Sequence, residues 1–142
     1  IAGLLHDLGK LRVPEEIIDK PGPLTREERA YVMRHSFDTG HLLKKVFPNL
    51  PIADWAAMHH ENLLGTGYPF HRQATVIPHE ARLIAVADIF QALSQERPYR
   101  GLLGKDEVMS RMQALSVQGR IDPQIVELLR THLDTCYDLA VH

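Results

Sequence analysis

Residues 59–69 read HHENLLGTGYP, two adjacent histidines followed directly by a glycine-rich loop. Adjacent histidines can both bind metal when the end of a helix points into a site. The same pair suits a solvated helix C-terminus, because the negative end of the helix dipole favours imidazolium. The string alone leaves both interpretations open, and residues elsewhere in the chain have to decide between them.

Metal-binding side chains recur elsewhere in the chain, at His6, Asp7, His35 and Asp88. Imidazole suits iron, zinc, nickel and copper, whereas carboxylate suits harder ions such as manganese. A carboxylate has two oxygens and can bridge two ions. Together with His59 and His60, this mixed set indicates two ions held close together, an arrangement used to hydrolyse phosphate esters.

Each of these residues also has an ordinary explanation when it is taken alone. Asp88 interrupts the apolar run LIAVADIF, residues 83–90. An unpaired carboxylate is costly to bury, so a metal ion and a salt bridge explain Asp88 about equally well. A lone helical histidine such as His35 is more often a structural polar residue, and His6-Asp7 could be a surface pair that follows a core helix.

The composition is that of one domain with a hydrophobic core. The chain has 142 residues, 44% of them hydrophobic, and a net charge of −2 without a basic patch, which argues against duplex nucleic acid as a partner. Cys136 is the only cysteine, so no intrachain disulfide forms and a reducing, cytoplasmic location is the simplest expectation. The apolar runs are far shorter than the ~20 residues of a membrane span.

The first residues, IAGLLHD, lack an initiator methionine and resemble the middle of a helix. We therefore expect residues 1–142 to form a single domain of a longer protein, without its N-terminal helix or helices.

Periodicity and capping signals predict an all-α fold. Thr25 and Glu28 form a capping box, Pro51 suits the first turn of a helix, and Asp122-Pro123 is an N-cap followed by a first-turn proline. The predicted helices cover residues 1–9, 15–19, 26–46, 51–60, 79–95, 105–116 and 123–140. Residues 61–78 form a long loop, a length that usually indicates a functional segment.

Several cations and one aromatic residue are candidates for contacts with a phosphate-containing substrate. The cations are Lys10, Arg82, Arg97 and Arg100, and for each of them a solvated surface charge is at least as good an explanation. Tyr68 could stack on a nucleobase, or it could simply order its loop.

Taken together, the motifs resemble a known family. Residues 5–10, LHDLGK, are similar to the HDxGK core of the HD metal-dependent phosphohydrolases. HHENLLGTGYP at 59–69, IPHEARL at 77–83, VAD at 86–88 and RPYR at 97–100 resemble, in order, the motifs of the HD-GYP subfamily. The ordered set covers almost the whole chain.

The resemblance implies an HD-domain helical bundle that cleaves cyclic di-GMP, or a related cyclic dinucleotide, to linear pGpG or GMP. It implies that Asp7 bridges two divalent ions, with His6 and Asp88 at one ion and His35, His59 and His60 at the other. Iron or manganese is expected, with zinc, nickel or magnesium as alternatives. Lys10 would lie near the reacting phosphate, Arg97 and Arg100 near the substrate phosphates, and Tyr68 at the lip of the pocket. An upstream sensor or receiver domain and a homodimer are also expected.

The chain departs from the family pattern in its loop and in the helix that follows. Leu64 and Gln91 stand where aspartate is usual, and residues 70–73, FHRQ, replace a glycine-containing stretch. The family's first metal-binding histidine lies upstream of residue 1. These departures keep two alternatives open: a catalytically degenerate module that binds a cyclic dinucleotide or a protein partner, and an HD hydrolase of another phosphate ester.

Overall fold

The computed structural model describes residues 1–96 and 100–141, and these residues form helices joined by turns and loops. The helices are α1 (Ala2–Leu5), a 3₁₀ helix (Leu8–Arg12), α2 (Glu15–Ile18), α3 (Arg26–Met33), α4 (His35–Val46), α5 (Ile52–Ala57), α6 (His79–Ser94), α7 (Lys105–Val117), α8 (Pro123–Thr131) and α9 (Leu133–Val141). The predicted all-α fold is confirmed. Within the described ranges, no helix is long and apolar enough to cross a membrane.

The first helix is shorter than expected, because it ends at Leu5 and the chain turns at His6-Asp7 into the 3₁₀ helix. This 3₁₀ segment lies against α4. Gly9 permits the close approach, since a Cβ there would collide with backbone atoms of His35 and Thr39. Its amide donates to the Thr39 hydroxyl at 2.8 Å, and that hydroxyl donates to the carbonyl of His6 at 3.0 Å. Thr39 therefore fixes the turn that carries His6 and Asp7.

The predicted capping box at Thr25 is confirmed, but the continuous helix predicted for residues 26–46 is wrong. The chain turns at Arg34, between α3 and α4. At this break, two side chains form hydrogen bonds with backbone carbonyls. The His35 ring bonds to the carbonyl of Val32 at 2.7 Å, and the Ser36 hydroxyl donates to the carbonyl of Met33 at 3.2 Å. Such local competition favours a helix end, and here it makes His35 the first residue of α4.

The four helices α6 to α9 enclose the larger of two apolar cores. Val108 and Met112 on α7 are fully buried in it. Asp122 caps α8 by accepting from the amides of Gln124 and Ile125, as predicted. The single last helix predicted for 123–140 is in fact α8 and α9, with a break at His132.

Candidate metal centre

The fold brings all six predicted metal ligands together from four places in the chain. His6 and Asp7 occupy the turn after α1, and His35 begins α4. His59 and His60 were predicted to close a helix, but α5 ends at Ala57 and they lie in the turn that follows it. Asp88 lies in the middle of α6. Two turns and the start of one helix thus carry the imidazoles, and a long helix carries the second carboxylate.

Three of the histidines are oriented in the same way. The Nδ1 atoms of His6, His35 and His59 lie 2.6–2.7 Å from the carbonyl oxygens three residues earlier, those of Gly3, Val32 and Ala56. A carbonyl only accepts, so each Nδ1 carries the proton. When such a ring is neutral, its Nε2 has a lone pair directed into the cluster, which is how metal-binding histidines are held in proteins.

Five of the six side chains form two groups, which share His59 and whose atoms are close enough to share an ion. One group is His35, His59 and His60, the other is His6, His59 and Asp88, and within each group the ligand atoms lie within 4.8 Å of one another. The resemblance implied His59 for the first group only, whereas its position allows both. Asp7 lies between the groups: Oδ1 is 3.2 Å from Nε2 of His35, and Oδ2 is 3.5 Å from Nε2 of His6.

The centre leaves buried polar atoms without partners. Nε2 of His6 and Oδ1 of Asp7 are both buried and make no hydrogen bond. The Nε2 atoms of His35 and His59 lie 3.4 Å apart. In the neutral, metal-binding form of these rings, lone pairs would face one another and a carboxylate, which is unfavourable unless a cation lies among them. The donor set therefore fits a bound metal ion.

The electrostatics keep two of the imidazoles in the form that binds metal. Burial lowers the pKa of His59 to about 4 and the pKa of His60 to about 3. Both rings are neutral at pH 7 and need lose no proton to bind an ion.

The carboxylates are ionised. Burial raises the pKa of Asp7, but contacts with His35 and then Lys10 outweigh it, so the pKa lies well below the usual range. For Asp88, burial again raises the pKa, and His6 more than offsets it. Asp88 in turn raises the pKa of His6, from a distance of 3.5 Å that is too long to satisfy Nε2 with a hydrogen bond.

A family model described as HD domain matches residues 1–125. The chain belongs to the HD domain family. HD phosphohydrolases are metal-dependent, in agreement with the donor set. The resemblance to the HD phosphohydrolases is thereby confirmed, and the relatives' names agree with the HD-GYP subfamily.

Three curated relatives of this HD domain are named as phosphodiesterases of cyclic dinucleotides. The chain is 43% identical, over 99% of its length, to a 3′3′-cGAMP-specific phosphodiesterase of Vibrio cholerae, of which it covers 33%. It is 38% identical, over 88% of its length, to a cyclic di-GMP phosphodiesterase of Pseudomonas aeruginosa, of which it covers 30%. A cyclic di-GMP phosphodiesterase of Thermotoga maritima is 36% identical over 89% of this chain and 34% of its own. The HD domain spans about a third of each relative.

Two predicted substrate contacts lie at the edge of the centre. Lys10 is half-exposed, and its Nζ contacts Oδ2 of Asp7 at 2.5 Å. The Tyr68 ring lies over the His60 ring, with centroids 4.7 Å apart and planes inclined by 31°. Burial raises the pKa of Tyr68 to about 12, so its hydroxyl stays protonated at neutral pH.

The arginines predicted to contact substrate differ in their positions and contacts. Arg100 lies at the end of α6, where its Nη2 donates to the carbonyls of Ala92, Leu93 and Gln95. Its contact with substrate stays a prediction. Arg97 lies outside the described residues. Arg82 is structural: it donates to the carbonyls of Ala74 and Ile77 and to Asp122 Oδ2 at 3.0 Å, and so joins the 61–78 loop to α8.

Two residues that sequence analysis left without a role organise the loop after His60. Glu61 is 5% exposed, and its two carboxylate oxygens accept from the amides of Phe70 at 2.6 Å and Arg72 at 2.9 Å. Asn62 accepts from the amides of Leu64 and Thr66. Their position directly after the histidine pair was the available signal, but the partners, up to 11 residues away, follow only from the folded loop.

Proposed function

We propose that this HD domain is a metal-dependent phosphodiesterase that hydrolyses a cyclic dinucleotide, cyclic di-GMP being cleaved to pGpG and/or GMP. The observation that carries the proposal is the convergence of four imidazoles and two carboxylates with Nε2 of His6 and Oδ1 of Asp7 left unpartnered. The printed names of the relatives support the substrate class.

For the metal centre we propose two divalent ions, iron or manganese in preference to zinc, nickel or magnesium. Asp7 is assigned as the bridge because its two oxygens face different groups of histidines. His6 and Asp88 are assigned to one ion, and His35, His59 and His60 to the other. His59 is assigned with His35 because their Nε2 atoms lie 3.4 Å apart, close enough for both to bind one ion.

The ions would supply Lewis acidity toward a phosphoryl oxygen and an activated water. The chain's own residues prepare that chemistry. Backbone carbonyls hold the imidazoles of His6, His35 and His59 in their metal-binding tautomer. Lys10, held beside Asp7, places a positive charge where a phosphate would gain negative charge in the transition state. Tyr68 covers His60 and excludes water from that side.

A second candidate substrate is 3′3′-cGAMP. Three Vibrio cholerae relatives named for that nucleotide are 43%, 41% and 35% identical to this chain, and the two cyclic di-GMP enzymes above are 38% and 36% identical, so identity does not rank the two substrates. Both nucleotides carry the same pair of 3′–5′ phosphodiester bonds, so the proposed centre could act on either, and the bases would decide between them.

The test is a substrate panel with protein reloaded anaerobically with iron or manganese. Cyclic di-GMP, 3′3′-cGAMP and methyl p-nitrophenyl phosphate are each assayed for product, with Asp7→Ala as the inactive control. Linear product from either cyclic dinucleotide supports the proposal. Turnover of the nitrophenyl ester alone would favour an HD hydrolase of another phosphate ester. Nucleotide binding without turnover would favour the degenerate binding module.

We further propose that this domain works with a sensor or receiver domain and as a homodimer in the cytoplasm. The greater length of the relatives supports an accompanying domain, and the homodimer and the cytoplasmic location are expectations from the sequence alone. Light scattering of the natively expressed protein would measure its assembly, and the mass of the purified polypeptide would test for an accompanying domain.

A further inference from the structure

Two phenylalanines, one on α4 and one on the loop after His60, form an exposed pair. Phe37 is 48% exposed and Phe70 is 37% exposed. Their ring centroids are 6.3 Å apart, and their planes are inclined by 60°. This edge-to-face geometry is favourable for aromatic rings, yet both rings still present much of their surface to solvent.

Both residues are close in the chain to predicted metal ligands. Phe37 lies two positions after His35 on α4. Phe70 lies two positions after Tyr68, and the Tyr68 ring lies over His60. Two residues span at most about 7 Å. Two residues of a helix also differ by about 200° in direction, so Phe37 does not point into the ion cluster with His35. The pair is therefore near the centre along the chain but outside the ion cluster, and we take this position to be the rim of the centre.

The loop ring is held in place by the metal-centre segment itself. The Phe70 amide donates to Oε1 of Glu61 at 2.6 Å, and Glu61 directly follows His60. Gly67 lies against the backbone of residues 60–62, where a Cβ would collide with it, and the Tyr68 amide donates to the carbonyl of His60 at 3.2 Å. The aromatic pair thus has a fixed position relative to the histidines.

We infer that Phe37 and Phe70 form a stacking surface for one nucleobase of the substrate. This inference rests on the proposed function. In a cyclic dinucleotide the bases project outward from the ring of phosphates and sugars, so a phosphate at the ions would direct a base toward the rim. Aromatic side chains stack on any base, because every base has a π-face. The surface therefore contributes affinity, and base identity would be read by polar groups near it.

The experiment compares two substrates in the metal-loaded protein. A cyclic dinucleotide carries bases, whereas methyl p-nitrophenyl phosphate has nothing beyond its leaving group to reach the rim. Phe37→Ala and Phe70→Ala are each expected to raise KM for the cyclic dinucleotide about ten-fold or more, with kcat, metal content and turnover of the nitrophenyl ester unchanged. Phe70→Tyr should restore wild-type KM, and Phe70→Leu should not.

Tyr31→Ala is the matched control, since Tyr31 is an exposed aromatic residue on α3, 47% exposed, and its removal should change neither substrate's kinetics. The inference is overturned if the Phe variants keep the wild-type KM, if Phe70→Leu behaves like the wild type, or if both substrates and the metal content suffer together. If the wild type turns over no cyclic dinucleotide, the proposed function fails separately. Direct binding by calorimetry then decides, since a wild type that does not bind the nucleotide refutes the stacking surface too.

Discussion

The N-terminal and C-terminal halves of this domain bury different chemistry. In residues 1–60 the buried apolar cluster is small, and imidazole, hydroxyl and carboxyl groups are buried beside it; the cluster is Ala2, Leu43, Ile52, Ala53 and Ala56. In residues 79–141 the buried core is larger and apolar: Val86, Phe90, Leu103, Val108, Met109, Met112, Ile121, Ile125, Val126 and Tyr137. Since stabilisation scales with buried apolar area, the C-terminal half supplies its own stability, whereas the N-terminal half depends on polar partners.

Helix α6 lies in the C-terminal half but also supplies a residue to the metal centre. Val86 and Phe90 are buried in the C-terminal core, and Asp88 between them faces His6. The apolar core thereby fixes the position of a carboxylate in the metal centre. The comparison predicts that changes in the C-terminal core alter stability more than metal binding, and that changes in the centre do the reverse.

The largest effect is expected from Asp7→Ala. The proposed bridge serves both ions, so its loss should remove most bound metal and abolish turnover. Elemental analysis of the purified variant measures the first effect and product formation the second. His71→Ala is the control, since His71 is exposed and should leave the metal content unchanged. Full metal content in both variants would contradict the assignment.

Met112→Ala should lower the stability of the protein without lowering its metal content. Met112 is fully buried in the C-terminal core, and truncation of a buried methionine costs about 2–5 kcal/mol. Denaturant unfolding should show this loss while the metal content of the folded protein stays at the wild-type level. Met112→Leu, which nearly conserves volume, should lose less than about 1.5 kcal/mol. Loss of metal from folded Met112→Ala would break the separation between the halves.

Local signals predicted the elements of this fold, and contacts distant in sequence decided what they missed. The capping box at Thr25 and the cap at Asp122 need residues only two or three positions away, so the sequence shows them directly. The break at Arg34 arises where side chains of α4 compete for carbonyls of α3, and a continuous periodic pattern does not reveal such competition.

The same distinction applies to the site. The six candidate ligands were predicted because their residue types and order resemble a family. The bond from Gly9 to Thr39 spans 30 residues, and no spacing rule finds such a partner. Glu61 is next to the histidines in the sequence. The amides that donate to its carboxylate, those of Phe70 and Arg72, come close to it only in the folded loop.

A smaller effect is expected from Asp122→Ala, which removes the cap of α8 and the partner of Arg82. Loss of an N-cap costs about 1 kcal/mol, and an unpaired, partly buried guanidinium adds about 1–3 kcal/mol.

Burial raises the pKa of Asp122, but Arg82 and the cap amides lower it below the usual value. The contribution of the carboxylate is therefore present above about pH 4 and is lost as the pH falls through the lowered pKa. Urea unfolding at pH 7 and pH 3 should show a smaller difference between the wild type and the variant at pH 3, and Asp122→Asn separates the cap from the charge.

The smallest effect is expected from Thr25→Ala, at the matching cap in the N-terminal half. The Thr25 hydroxyl accepts from the Glu28 amide at 3.2 Å, and the Glu28 carboxylate accepts from the Thr25 amide at 2.7 Å. Loss of the hydroxyl should cost about 1 kcal/mol, and Thr25→Ser should restore most of it. Because α3 ends at the break before His35, its fraying should leave the proposed metal ligand in place, so stability should fall while metal content and turnover do not. A parallel loss of metal would show that the break at Arg34 transmits disorder from α3 into α4, and that the N-terminal half is held together more cooperatively than its separate helices indicate.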